Sequence, residues 1–220
     1  MSLLNAEFYS IYTSLAAGKN LDLAPVPPYS TYIQWLGKQD QERARGYWKG
    51  YLKGYESVSG IPRQEQSVQG YSPGIKDVSL GKNLYLSLKR LSSKHGVTIN
   101  NISQGLWAIL LSKYKNNRDV VFGSVVSVRP SELAEVERMV GLFINTVPVR
   151  VCYKMEDTLI HVIKHLQEQD IVGKVYHYTQ LAEIQSLSVL GAGLMDHLIV
   201  FENYPIAEKI KGDIEAGRNK

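Results

Sequence analysis

The sequence predicts an α/β fold, a mixed β-sheet with flanking helices. Stretches with apolar residues at helical spacing recur along its 220 residues. Between them lie two apolar, β-branched runs, "DVVFGSVVSV" and "GLFINTVPVRVCY", of the kind that forms strands buried on both faces. Helices alternating with buried strands predict a layered α/β domain. At 44% hydrophobic residues the chain can bury a sizeable core.

Taken in order, Ser2 can cap a first helix whose stripe is Leu4, Phe8, Ile11, Tyr12 and Leu15, ended by Gly18. Pro25, Pro27 and Pro28 then forbid regular helix, so this segment is extended and marks a lobe boundary. Ser30 or Thr31 opens a second helical stretch through Tyr32, Trp35 and Leu36, continued by Tyr47, Trp48, Tyr51 and Leu52. Residues 54–81, rich in Gly, Pro and Ser, read as a long loop or irregular strands. Leu84, Leu88 and Leu91 stripe a helix ending near His95 and Gly96. Thr98 caps the next helix, whose buried face is expected at Ile102, Leu106, Ile109 and Leu110. The first strand follows, then a polar connection with a short helical turn from Ser131, then the second strand. Asp157 is expected to cap a helix with Leu159, Val162, Ile163 and Leu166 inward. "LMDHLIVFENYP" reads as a last strand stopped by Pro205, and the charged tail after it as frayed.

Composition excludes several functions. The net charge of +4 is scattered, without the basic cluster that marks a nucleic-acid surface. No apolar run approaches the ~20 residues of a membrane span, and the start lacks the basic region of a signal peptide. Cys152 is the single cysteine, so no internal disulfide forms and a reducing, cytoplasmic compartment is expected. Its place in a strand reads as a small buried hydrophobe, not a nucleophile.

Short motifs yield little chemistry. His161 and His165 stand four apart with Glu168 beyond, a spacing able to hold zinc, but they point away from the helix's apolar face. "GAG" at 191–193 lacks dinucleotide-binding spacing and reads as a flexible loop. Gly123-Ser124 does not complete a nucleophile elbow. His177 and His197 could each be core or surface. What stands out is polar residues in apolar strands: Ser127, Arg129, Asn145 and Thr146. Buried polar groups need partners. These four therefore either lock a turn to a neighbouring strand or line an internal channel.

The residues at 119–151, "DVVFGSVVSVRPSELAEVERMVGLFINTVPVRV", closely resemble the condensation domains of non-ribosomal peptide synthetases. The usual pattern there is V-F-G-x-x-V-S-G-R-P followed by V-G-x-F-I-N-T-x-P-x-R. "YSTYIQWL" at 29–36, "HGVTINNISQGLWAILLSKY" at 95–114, "HYTQLAEIQ" and "LMDHLIVFENYP" are similar to further family segments in the same order. The last resembles that of an elongation domain accepting an L-residue donor.

The resemblance implies a chloramphenicol-acetyltransferase-like fold of two lobes around a tunnel. Carrier proteins insert phosphopantetheine arms from both ends, and an amine attacks a thioester to form an amide. The family's H-H-x-x-x-D-G motif is absent, since no two histidines are adjacent. The chain reads as beginning just after that motif. Residues 1–36 would be the last helix of the N-terminal lobe and the crossing segment, 37–205 the C-terminal lobe, and 206–220 a charged tail.

On this reading Ser127, Arg129, Asn145 and Thr146 are substrate-tunnel residues, and no metal or directly bound cofactor is implied. Partners would be peptidyl carrier proteins and neighbouring synthetase domains, with self-association through an exposed lobe face. Val128 departs from the family's Gly, which would be costly if the turn needs positive φ. The fragment is expected to be inactive alone. The alternative is a non-catalytic module of the same fold that docks a carrier or partner.

Overall fold

A computed structural model of the chain describes residues 2–20, 23, 25–61 and 74–202. The expected tail and much of the expected loop at 54–81 lie outside the described residues. Helix α1 (Ser2–Ala16) carries its predicted stripe. Leu4, Phe8, Tyr12 and Leu15 nonetheless remain exposed within the described set. The stretch from 30 to 52 is two helices, α2 (Ser30–Gly37) and α3 (Gln41–Leu52). They separate because Asp40 caps α3, accepting from the Arg43 N–H at 2.9 Å.

Helix α4 (Gly81–His95) stops at Gly96, whose φ of 65° is the left-handed geometry glycine adopts without strain. Helix α5 (Ile99–Lys115) starts at Thr98, which accepts from the Asn101 N–H. Its buried face differs from the expected one. Ile102 is buried, but Leu106 and Leu110 are 45% and 44% exposed, while Asn101, Gln104, Gly105 and Ala108 turn inward. The reason is close packing on α6 (Leu159–Gly173). A Cβ on Gly105 would fall 2.8 Å from Ile163 Cγ1, so the small residues must face that helix. The polar residues brought in with them are partly satisfied: Gln104 Nε2 donates to Ser124 Oγ at 3.0 Å, and Asn101 Oδ1 accepts from Thr98 Oγ1, while Asn101 Nδ2 is buried without a partner among the described residues.

The sheet is mixed, with order β2-β1-β3. Strand β1 (Asp119–Ser127) pairs antiparallel with β2 (Ile144–Cys152), from Asp119 opposite Cys152 to Ser127 opposite Ile144. Pro148, which has no N–H to give, is tolerated because β2 is an edge strand. Among the described residues strand β3 (Leu198–Ile199) pairs parallel with β1 at Gly123 and Ser124. It is much shorter than "LMDHLIVFENYP" predicts, and residues from 203 onward lie outside the described set.

Alternation along the strands splits the core, as period-two geometry requires. Val120, Phe122, Val149 and Val151 pack with Ala108, Leu111, Val162 and Leu166. Val121 instead joins Trp48, Leu52, Tyr55, Ile184 and Leu194. Ile184 comes from the short helix α7 (Leu181–Ser186).

Other expectations are corrected here. Cys152, at the end of β2, is exposed because the strand's inward positions there are Val149 and Val151. Thr158, not Asp157, caps α6, accepting from the His161 N–H; Asp157 instead accepts from the Lys154 N–H and from His161 Nδ1. Leu159 stays 37% exposed, whereas Val162, Ile163 and Leu166 are inward as expected. "GAG" belongs to a 3-10 turn, Gly191–Leu194, that buries Leu194 in the core.

Candidate functional site

Two separated sequence segments build one corner of the molecule. Tyr29, just before α2, lays its ring on the backbone of Gly141, where a Cβ would fall 2.1 Å from Tyr29 Cδ2. Its hydroxyl donates to the Leu142 carbonyl oxygen at 2.6 Å. The ring also meets Phe143 edge-on, with centroids 5.3 Å apart. Glycine is thus required at 141 for close approach, and "VGLF" and "YSTY" are two sides of one contact.

Arg129 closes the same corner. Its guanidinium lies over the Phe143 ring, 4.0 Å from the centroid, and donates to the carbonyl oxygens of Val136 and Met139. It holds the connection between β1 and β2 on the sheet. Val128, beside it, is 8% exposed and donates its N–H to the Phe143 carbonyl at 2.6 Å. Among the described residues the non-glycine ones at positive φ are Asn116 and Glu135, so Val128 carries no left-handed strain.

Asn145 sits part-buried at the start of β2. Its Nδ2 donates both hydrogens, to the carbonyl oxygens of His177 and Thr179, each at 2.7 Å. Its Oδ1 accepts from the Thr146 N–H at 2.9 Å. All its polar capacity but one lone pair is thus spent, and both amide hydrogens go to pinning the loop between α6 and α7 to the sheet.

A cleft of about 360 Å³ lies beside this pinned loop, and Ser127, Arg129, Trp35, Lys174, His177 and Tyr178 are among its lining residues. Ile171 and Val175 add an apolar wall. Of the four residues singled out in the sequence, Ser127 and Arg129 reach the cleft. Asn145 acts on it through the loop, and Thr146 is not among the lining residues. His177 is 8% exposed, and burial, opposed by Asp170 and aided by Lys174, lowers its pKa below the ordinary 6.5. The sequence offered no signal for it, because Ser127, Trp35 and His177 meet only through tertiary packing.

The histidines of α6 each have a side-chain partner one turn away. His161 bonds Asp157, and His165 bonds Gln169. Among the described residues no three His, Cys, Asp or Glu side chains converge as ligands. No helix among them is long and apolar enough to cross a membrane.

The sequence model of the condensation domain matches residues 1–218. The chain belongs to the condensation domain family. Bacitracin synthase 1 of Bacillus licheniformis is 40% identical over 212 residues, which are 96% of this chain and 4% of that protein. Tyrocidine synthase 2 of Brevibacillus parabrevis is 38% identical over 211 residues, 96% of this chain and 6% of that protein. The chain therefore spans a small fraction of these curated relatives.

Among solved structures, the first condensation domain of the CDA synthetase superposes with a TM-score of 0.74 at 17% identity. The overlap is 92% of this chain and 46% of that one. The X-domain from teicoplanin biosynthesis gives 0.64 at 22%, over 81% and 42%. These likenesses fix the fold as that of a condensation domain, of which the chain covers somewhat under half the length. The Tyr29–Gly141 contact, the Arg129 clamp and the Asn145 pin all fall on the condensation-domain segments recognised in the sequence.

Proposed function

We propose that the chain is the C-terminal portion of a non-ribosomal peptide synthetase condensation domain. It helps form an amide bond between aminoacyl or peptidyl thioesters carried by peptidyl carrier proteins. The observation that carries this reading is the 40% identity to bacitracin synthase 1 along nearly the whole chain. The cleft beside Ser127 is where a phosphopantetheine arm would lie, with Trp35, Ile171 and Val175 against its methylenes. Ser127 and Arg129 line the passage, while Asn145 and Thr146 support it from the sheet.

Catalysis would be mostly positioning: bringing two tethered reactants together out of bulk water is worth ~7–11 kcal/mol of barrier. A general base adds ~10²- to 10⁴-fold. The adjacent histidine pair of the family motif is not in this chain, so the chain supplies wall and floor but not that base. Its neighbours would be other synthetase domains in the cytoplasm.

The test is mass spectrometry of loaded carrier proteins. Incubated with the purified chain alone they yield no carrier-bound amide. When the same residues are joined to a segment bearing the His-His motif, product forms. Product from the chain alone at the rate of the joined protein would sink the fragment reading.

A second reading is favoured by α1, whose Phe8 and Tyr12 are each 62% exposed. On it the chain is a non-catalytic module that docks a carrier or associates with itself through an apolar face. Sedimentation of the chain with and without a carrier protein separates the two: self-association or carrier capture without product formation supports the module.

A further inference from the structure

The Asn145 amide bonds to the backbone of His177, and His177 is among the residues that line the cleft. The residue is over nine-tenths buried, at 8% exposure. Among the described residues neither ring nitrogen makes a hydrogen bond, and neither is among the fully enclosed side-chain polar atoms left without a partner, so both keep access to open space; the backbone N–H and carbonyl are both engaged. An imidazole at the wall of a cleft can hydrogen-bond a ligand in the space it borders. The ring also lies against Gly173, where a Cβ would sit 3.7 Å from Nε2 and 2.8 Å from the Tyr47 hydroxyl. It thus forms a wall common to this cleft and to a narrower polar crevice lined by Gln104, Ser124 and Asp170.

We propose that His177, pinned by Asn145, is a positioning residue that hydrogen-bonds an amide of the pantetheine arm in the Ser127 cleft. The inference rests on the arm lying in that cleft. A neutral imidazole presents one N–H donor and one nitrogen acceptor. A secondary amide presents the complementary carbonyl and N–H, on a chain that is otherwise methylene. Burial keeps this imidazole uncharged near neutral pH. The Asn145 pin fixes the backbone from which the ring projects, so the motif asparagine acts at one remove from the arm.

The experiment is an NMR titration of the full 220-residue chain with pantetheine, which lacks phosphate, and separately with inorganic phosphate. Pantetheine is expected to move the His177 ring nitrogen signals together with the Ser127 amide, and phosphate is expected to leave the ring signals in place. His177→Leu is expected to weaken pantetheine binding about tenfold, as loss of a buried hydrogen bond does. His177→Gln, which keeps a donor and an acceptor, restores most of it. Near-UV circular dichroism checks that both variants fold. If His177→Leu unfolds, the ring signals of the unaltered chain decide. Movement at Ser127 and Trp35 with a silent His177 ring overturns this inference and leaves the arm in the cleft. No movement at any cleft residue overturns both. Equal weakening in the Leu and Gln variants reduces His177 to a packing residue and rejects the proposal.

Discussion

The side-chain amide of Asn145 donates to the backbone carbonyl of His177 over 2.7 Å, across 32 residues of sequence. The same nitrogen reaches Thr179 at an equal distance. Asn145→Ala leaves two part-buried carbonyls without their donor, at ~1–3 kcal/mol for each group left unsatisfied. Urea denaturation should show a loss of about 2–4 kcal/mol. Asn145→Asp should be at least as harmful, since a carboxylate would face two carbonyl oxygens. A change below about 0.5 kcal/mol for Asn145→Ala, the range of ordinary surface substitutions, would show that the loop is held by other contacts.

Gly141 is under the Tyr29 ring, and a Cβ there would fall 2.1–2.7 Å from three ring atoms. The ring cannot slide freely, because its hydroxyl is tied to Leu142 and its edge to Phe143. Gly141→Ala should therefore destabilise by about 1–3 kcal/mol, as overpacking does. Adding Tyr29→Leu, which removes the ring atoms in the way, should make the second change non-additive in a double-mutant cycle. Strict additivity would mean that the two residues do not touch.

Arg150 links β2 to β1 and α3. It meets Asp119 in a two-pronged ion pair at 2.8 and 2.7 Å and donates to the carbonyls of Tyr51 and Lys53. The Asp119 hydrogen bond holds its pKa above the ordinary guanidinium value, so it stays charged at any working pH. Arg150→Leu strands a mostly buried carboxylate and two carbonyls, and a loss of about 3–5 kcal/mol is expected by thermal or urea unfolding. Arg150→Lys should recover only part of this, since an ammonium cannot make the two-pronged bond.

Two histidines set an acid limit. Burial lowers the pKa of His177 and of His197, opposed by Asp170 and Asp196 respectively. His197 Nε2 also accepts from the Trp107 N–H at 2.7 Å, which protonation would break. Below the unfolded value of 6.5 the unfolded chain binds more protons than the folded one. Their contribution is thus fully present above pH 6.5 and is lost as pH falls through the lowered folded values. Urea midpoints measured from about pH 7.5 to 5 should fall, and the fall should shrink in a His177→Gln, His197→Gln double variant. An unchanged slope in that variant would move the effect to other groups.

By itself the sequence determined the mixed α/β class, the family and the places of most helices and of the two long strands. These depend on local periodicity, on capping residues such as Thr98, and on runs such as "VGLFINT" that stay legible along the chain. Tertiary structure alone decided which face each element buries and what the polar residues do. Leu106 and Leu110 read as core, yet they stay exposed, because close packing of α5 on α6 favours Gly105 and Ala108 over larger side chains. Cys152 lies in a run that reads as buried, but packing put Val149 and Val151 on the inward side of β2 and left Cys152 outward and exposed. Asn145 could have been a lock or a lining; its amide pins His177 and Thr179, more than thirty residues away, and no local pattern encodes that distance. Periodicity reports a residue's neighbours along one element, whereas a hydrogen bond between elements exists only once both have been packed.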